Sequence, residues 1–275
     1  MPSQSAPVLR LQPRAASWFD PSDESSSIIL PRHFITRDSD DSFVLHEKLV
    51  IFETRDGFDY VKTTYGLSAT TSTLRCFLNT PTVYSLNGVS MVEGGFGAAA
   101  AVDLLEVAIA AGCKQVFIFG LAGGIDDDLD VGDLILPSEV VREEGTSYHY
   151  SQPGQTAKPD KNLLQTLSAY FTHYQQLTVT RGATVSTDAP FRQTLNKELH
   201  WQKSGVLGVD MGLSALLTVA AYRTIPAVGL LVISDKHHLN NKEDWKFGGK
   251  NFKEQRNLAI DALIDFAITY EDKQQ

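Results

Sequence analysis

Residues 94–124 read GGFGAAAAVDLLEVAIAAGCKQVFIFGLAGG, and the order of residue types within them decides the fold class. The glycines of GGFG (94–97) open a run of strong helix formers. Leu105, Ala108, Ile109 and Gly112 recur at helical spacing, and Gly112 suits the position just past a helix end. KQVFIFG (114–120) follows as an unbroken apolar run. A strand with no polar alternation is buried on both faces, so the sheet it belongs to needs helices above and below it.

The same alternation continues outward. AGGIDDDLDVGD (122–133) turns the chain and LILPSEVV (134–141) is the next strand. Asp160 is a plausible N-cap for a helix over NLLQTLSAYFTHY. The strand LTVTRGATVST (177–187) follows, then a polar helix ending near Gly205, the strand VLGVDM, the helix LSALLTVAAYR and the buried strand PAVGLLVIS (226–234). An amphipathic helix over 252–270 closes the chain, with Leu258, Ala262, Leu263, Phe266 and Ala267 on one stripe. Upstream, 33–36, 43–53, 58–65 and 82–86 have strand-like composition, with RDSDDS (37–42) between the first two. The pattern predicts an α/β three-layer sandwich with a mixed, largely parallel central sheet.

Residues 1–29, rich in Ser, Pro and Ala, read as an N-terminal arm, and 30–275 as a single domain. A length of 275 residues, 43% hydrophobic and 21% charged, describes an ordinary globular chain. No apolar run approaches the roughly 20 residues that cross a bilayer, so no membrane partner is expected. The net charge of −9 argues against nucleic acid as a partner. Two cysteines, Cys76 and Cys113, without CxxC spacing fit a reducing, cytoplasmic setting and two buried thiols.

Ligands of open α/β sheets bind beyond the carboxyl ends of the strands, which selects GGFG, LAGG, EGTSYHY, STDAPF, VDMG and ISDKHH. GGFG before a helix suits an anion but equally suits tight packing, and it is not a dinucleotide fingerprint. The aspartates at 126–128, 130 and 133 fail as a calcium loop. Counting from Asp126, the sixth position is Val131 and the twelfth Pro137. His237–His238 lacks companions at ligand spacing, so no metal site is expected, although a loop histidine reaching a substrate stays open. Asp235, ending the strand GLLVIS, is a candidate proton donor if burial raises its pKa; a turn acid is the plainer alternative.

Four segments in order carry a resemblance: 94–125, VGDLILPSEVVREEGTSYHY (131–150), ATVSTDAPFRQT (183–194) and GVDMGLSALLTVAAYRTIPAVGLLVISDK (208–236). Together they resemble the nucleoside phosphorylase and uridine phosphorylase family over about residues 82–270. The resemblance implies a mixed sheet closing partly into a barrel and a homo-oligomer built from dimers, either a dimer or a trimer of dimers. It also implies a small-molecule nucleoside as substrate and no cofactor, with phosphate as a candidate co-substrate. By position it implies that Asp235 protonates a purine base and that Met211 packs under the ribose. Gly95 and Gly97 would lie beside the sugar, Val185 at the base-stacking position, and Ser234 and Gly212 at the substrate.

The departures from the family pattern are specific. Gly212 stands where the resemblance implies a ribose-binding Glu, so a charge-assisted hydrogen bond is missing there. Ile118 and Leu121 stand at the phosphate-binding Arg and Ser/Thr positions. The early phosphate loop corresponds to RDSDD, whose Asp38, Asp40 and Asp41 would repel phosphate. Three readings follow: a nucleosidase using water, activated by one of those acids; a phosphorylase recruiting phosphate through Arg142, Arg181, Arg192 or an arginine of a neighbouring subunit such as Arg37; or a non-catalytic nucleoside-binding or assembly homologue. Glu93, Glu144 or Asp210 would have to take over the missing hydroxyl contacts.

Overall fold

In the computed structural model, residues 20, 23, 25–35, 45–67, 73–174, 176–239 and 245–271 are described. In chain order the elements are β1 (Lys48–Phe52), α1 (Arg55–Thr64), β2 (Tyr84–Leu86), β3 (Val89–Glu93), α2 (Ala98–Ala110), β4 (Gln115–Gly124) and β5 (Leu134–Glu143). They continue with α3 (Lys161–Phe171), β6 (Val179–Thr187), α4 (Leu195–Lys203), β7 (Val206–Asp210), α5 (Leu213–Tyr222), β8 (Ala227–Lys236) and α6 (Phe252–Thr269). Asp160 caps α3 as expected, its Oδ1 accepting the N–H of Leu163 at 2.9 Å.

The eight strands form one mixed sheet in the order β2-β3-β1-β4-β7-β6-β5-β8, with β4 also paired to β8. β4 runs parallel to β8 from Val116 to Gly124, β8 pairs antiparallel with β5, and β5, β6 and β7 run parallel. β7 then returns antiparallel to the end of β4 at Gly123 and Gly124. Five strands therefore close on themselves, and β1, β2 and β3 extend the sheet as an open wing.

Alternation along the doubly buried strands builds two cores. Leu49, Ile51, Val116 and Ile118 pack with residues of α2 and α5. Val50, Phe52, Phe117 and Phe119 face the opposite way, toward α1, α3 and α6. Three layers result, as the continuous apolar runs required. Among the described residues no helix is long and apolar enough to cross a membrane.

Two early elements differ from expectation. Residues 58–64 belong to helix α1 rather than a strand, with Tyr65 as its C-cap, because Phe58 and Val61 are buried on one helical face. Pro31–Phe34 is a short 3-10 helix, since Pro31 sets the first turn. The RDSDD segment lies outside the described residues. The loop leaving the first strand of the sheet is instead Glu53–Thr54, between β1 and α1.

Candidate active site

A cavity of about 720 Å³ opens at the carboxyl ends of β1, β4, β7 and β8. Its two ends carry different carboxyl chemistry.

At one end, Asp235 closes β8. Its Oδ1 accepts from the Ser234 hydroxyl at 2.5 Å, and its Oδ2 accepts from the Trp245 indole at 2.7 Å. The same Oδ2 lies 3.0 Å from Nε2 of His237, whose Nδ1 is 2.8 Å from Oε2 of Glu198 on α4. His237 thus bridges two carboxylates. Burial pulls its pKa down, but the hydrogen bonds and charges of Asp235 and Glu198 overcome that and raise it to about 9. Asp235 moves the other way. Burial pushes it up, yet the hydrogen bonds from His237, Ser234 and Trp245 and the charge of His237 leave it below the ordinary carboxylate range.

This corrects the expectation of a carboxyl raised by burial. At neutral pH the proton resides on His237 and the negative charge on Asp235. The ring fits because residue 123 is glycine: a Cβ there would lie 2.5 Å from Nε2 of His237. Gly123→Ala is expected to displace the imidazole and cost about 1–3 kcal/mol of stability, read as a lowered midpoint in urea unfolding.

At the other end, Glu53 projects from the position just after β1. Its N–H is tied to the carbonyl of Phe119 at 2.8 Å, which fixes it against β4. Among the described residues its carboxyl makes no hydrogen bond. Burial and then the charge of Asp210 push its pKa well above the usual value. The other acids nearby are engaged. Glu93 pairs with Arg55 at 3.0 Å. Glu144 accepts from the N–H of Ser147 and the hydroxyl of Ser214, both at 2.9 Å. Asp210 accepts from the N–H groups of Gly212 and Leu213 that open α5, at 2.8 and 2.7 Å, and from Ser186.

The residues expected at the site divide accordingly. Gly97, Met211, Gly212, Ser234 and Asp235 line the cavity, Met211 with 42% of its surface exposed. Val185 does not: it is fully buried beside Ile125, Trp201, Val206 and Val209. Gly95 is also off the wall. A Cβ there would lie 2.3 Å from the Ala100 carbonyl carbon, so this glycine allows α2 to pack. Ile118 is fully buried in the core, whereas Leu121 reaches the cavity.

Cations are scarce on the wall. Among the described residues no arginine lines it, and Lys236 donates to the carbonyls of Asp126, Asp127 and Leu129. Arg142 is engaged away from the cavity, donating to Ser147 Oγ at 2.7 Å and to the carbonyls of Ser151, Gln152 and Gln155. Arg181 and Arg192 are exposed and off the wall, and Arg37 lies outside the described residues.

Sequence reasoning missed Glu53, Glu198 and Trp245 and set the His237–His238 pair aside as a metal site. Only the ISDKHH loop, already placed at a strand end, signalled His237.

Comparison with known proteins agrees with this architecture. The profile of the family described as the phosphorylase superfamily matches residues 58–270. A purine nucleoside phosphorylase DeoD-type of Bacillus cereus is 26% identical over 56% of this chain, and the chain spans 65% of that relative's length. A uridine phosphorylase from Vibrio fischeri superposes with a TM-score of 0.68 at 21% identity, covering 82% of this chain and 93% of that one. An AMP nucleosidase from Bacteroides thetaiotaomicron superposes with a TM-score of 0.65 at 21% identity, covering 81% and 88%.

Proposed function

The chain belongs to the phosphorylase superfamily, and from that premise we propose that it cleaves the N-glycosidic bond of a purine nucleoside with water as the nucleophile. The observation that carries the choice of water is the cavity's charge. Among the described lining residues there is no arginine, and Lys236 is taken up by backbone carbonyls, which makes the cavity a poor seat for phosphate.

The bond from the anomeric carbon to the base nitrogen breaks and its electron pair leaves with the base. The departing base gains negative charge, which a proton must neutralise. The Asp235–His237 pair faces that need as one acid: His237 stores the proton and Asp235 presents it. Water forms the new bond to the anomeric carbon, and the proton it sheds restores the one donated. No cofactor enters this scheme. Met211 forms part of the wall against the sugar, and a homo-oligomer remains part of the proposal.

The test is base release from adenosine, inosine and uridine with and without phosphate, read by chromatography. Free base and free ribose from a purine nucleoside in phosphate-free buffer are expected. Release that strictly requires phosphate, or no release from folded protein, would overturn the proposal.

A further inference from the structure

Four carboxyl groups line the cavity, those of Glu53, Glu198, Asp210 and Asp235, and three of them are committed to protein partners. Glu198 and Asp235 hold His237, and Asp210 holds the start of α5. Glu53 alone points into the cavity without a hydrogen-bond partner among the described residues.

The space around Glu53 is cut to its shape by three glycines from three distant segments. A Cβ on Gly212 would lie 2.5 Å from Oε1 of Glu53, a distance real Cβ atoms do not tolerate. A Cβ on Gly120 would lie 3.3 Å from Oε2, and one on Gly94 would lie 3.5 Å from Cγ. A side chain at residue 212 would therefore displace the Glu53 carboxyl from this position. Glu53 reaches from β1 into the volume that Gly212 leaves vacant at the start of α5.

We propose that Glu53 is the substrate-binding carboxyl for the sugar, taking hydrogen bonds from its vicinal hydroxyls in the space opened by Gly212. This rests on the nucleoside-cleavage reading above and adds to it the preference for a ribonucleoside over a 2′-deoxyribonucleoside. Two carboxyl oxygens match two adjacent hydroxyl donors, and bonds of this charge-assisted kind are the strong ones. The backbone of Glu53 is held in the sheet, so the carboxyl is positioned before the ligand arrives. Burial and then the charge of Asp210 push the pKa of this carboxyl up; donating hydroxyls would favour its charged form.

The test compares adenosine with 2′-deoxyadenosine in the wild type, Glu53→Gln, Gly212→Glu and the double variant Glu53→Gly/Gly212→Glu. Wild type is expected to prefer adenosine in kcat/KM, with Glu53→Gln losing on the order of 10- to 100-fold on adenosine and little on 2′-deoxyadenosine. Gly212→Glu alone, with two carboxyls in one space, is expected to lose both binding and stability. The double variant, which returns the carboxyl from residue 212, is expected to regain the preference for adenosine. Adenosine binding by calorimetry gives a readout separate from turnover. An active wild type whose discrimination is unchanged in Glu53→Gln would overturn this proposal while leaving nucleoside cleavage standing. A folded wild type that cleaves no nucleoside, yet binds adenosine through Glu53, would overturn cleavage alone. A wild type that neither cleaves nor binds adenosine would overturn both.

Discussion

Asp235→Asn is expected to lower base release from a purine nucleoside by about 10²- to 10⁴-fold, the range for loss of a positioned proton donor. An amide keeps one acceptor oxygen, enough for Ser234 or for Trp245 but not for both, and cannot carry the proton between His237 and the base. It also leaves His237 with one carboxylate instead of two, since only Glu198 remains at its Nδ1. Substrate affinity should change little, because the loss falls on charge that develops only as the bond breaks. Single-turnover base release alongside a thermal melt would check this. A folded variant with unchanged turnover would remove Asp235 from the mechanism.

His237→Gln is the second large effect, and its signature is in the pH profile. With His237 raised to about 9, the proton it supplies is present at neutral pH and is lost as pH rises through that value. The wild-type rate is therefore expected to fall on an alkaline limb near pH 9. Glutamine offers its amide N–H donors to one of the two carboxylates and holds no exchangeable charge. The variant should lose about 10²-fold in turnover and lose the alkaline limb with it.

Stability follows the same linkage. A histidine whose folded pKa lies above its ordinary 6.5 stabilises the fold fully below that value, and the stabilisation disappears as pH rises through about 9. Asp235 has the opposite sign. Its contribution is present above the ordinary carboxylate value of 3.8 and disappears as pH falls through its depressed pKa. Urea unfolding of wild type and variant across pH 5–10 would separate the histidine contribution. An alkaline limb that survives in His237→Gln would assign the titration to another group.

The fold was legible where its cause is local. β4 and β8 are buried on both faces, so each shows as an unbroken apolar run, and the cap of α3 shows as a single aspartate before an amphipathic stretch. Residues 58–65 misled because aromatic and β-branched residues suit either period over so short a run. Val185 was misplaced for a related reason. Neighbouring residues on a strand face opposite ways, so Ser186 reaches Asp210 while Val185 packs against the core around Trp201.

At the cavity, the sequence by itself determined the strand-end loops, and its family resemblance picked out Asp235, Ser234, Met211, Gly212 and Gly97 within them. It also determined that residue 212 carries no side chain. Only the tertiary structure decided what that absence means. Glu53 acquires its place from Gly94, Gly120 and Gly212, and His237 acquires its charge from Glu198 on α4 and Asp235 on β8. A composition pattern records what a residue is and what stands beside it in the chain. The protonation of His237 and the room around Glu53 are set by groups that only chain closure brings within about 3 Å, where burial and Coulomb interactions become decisive.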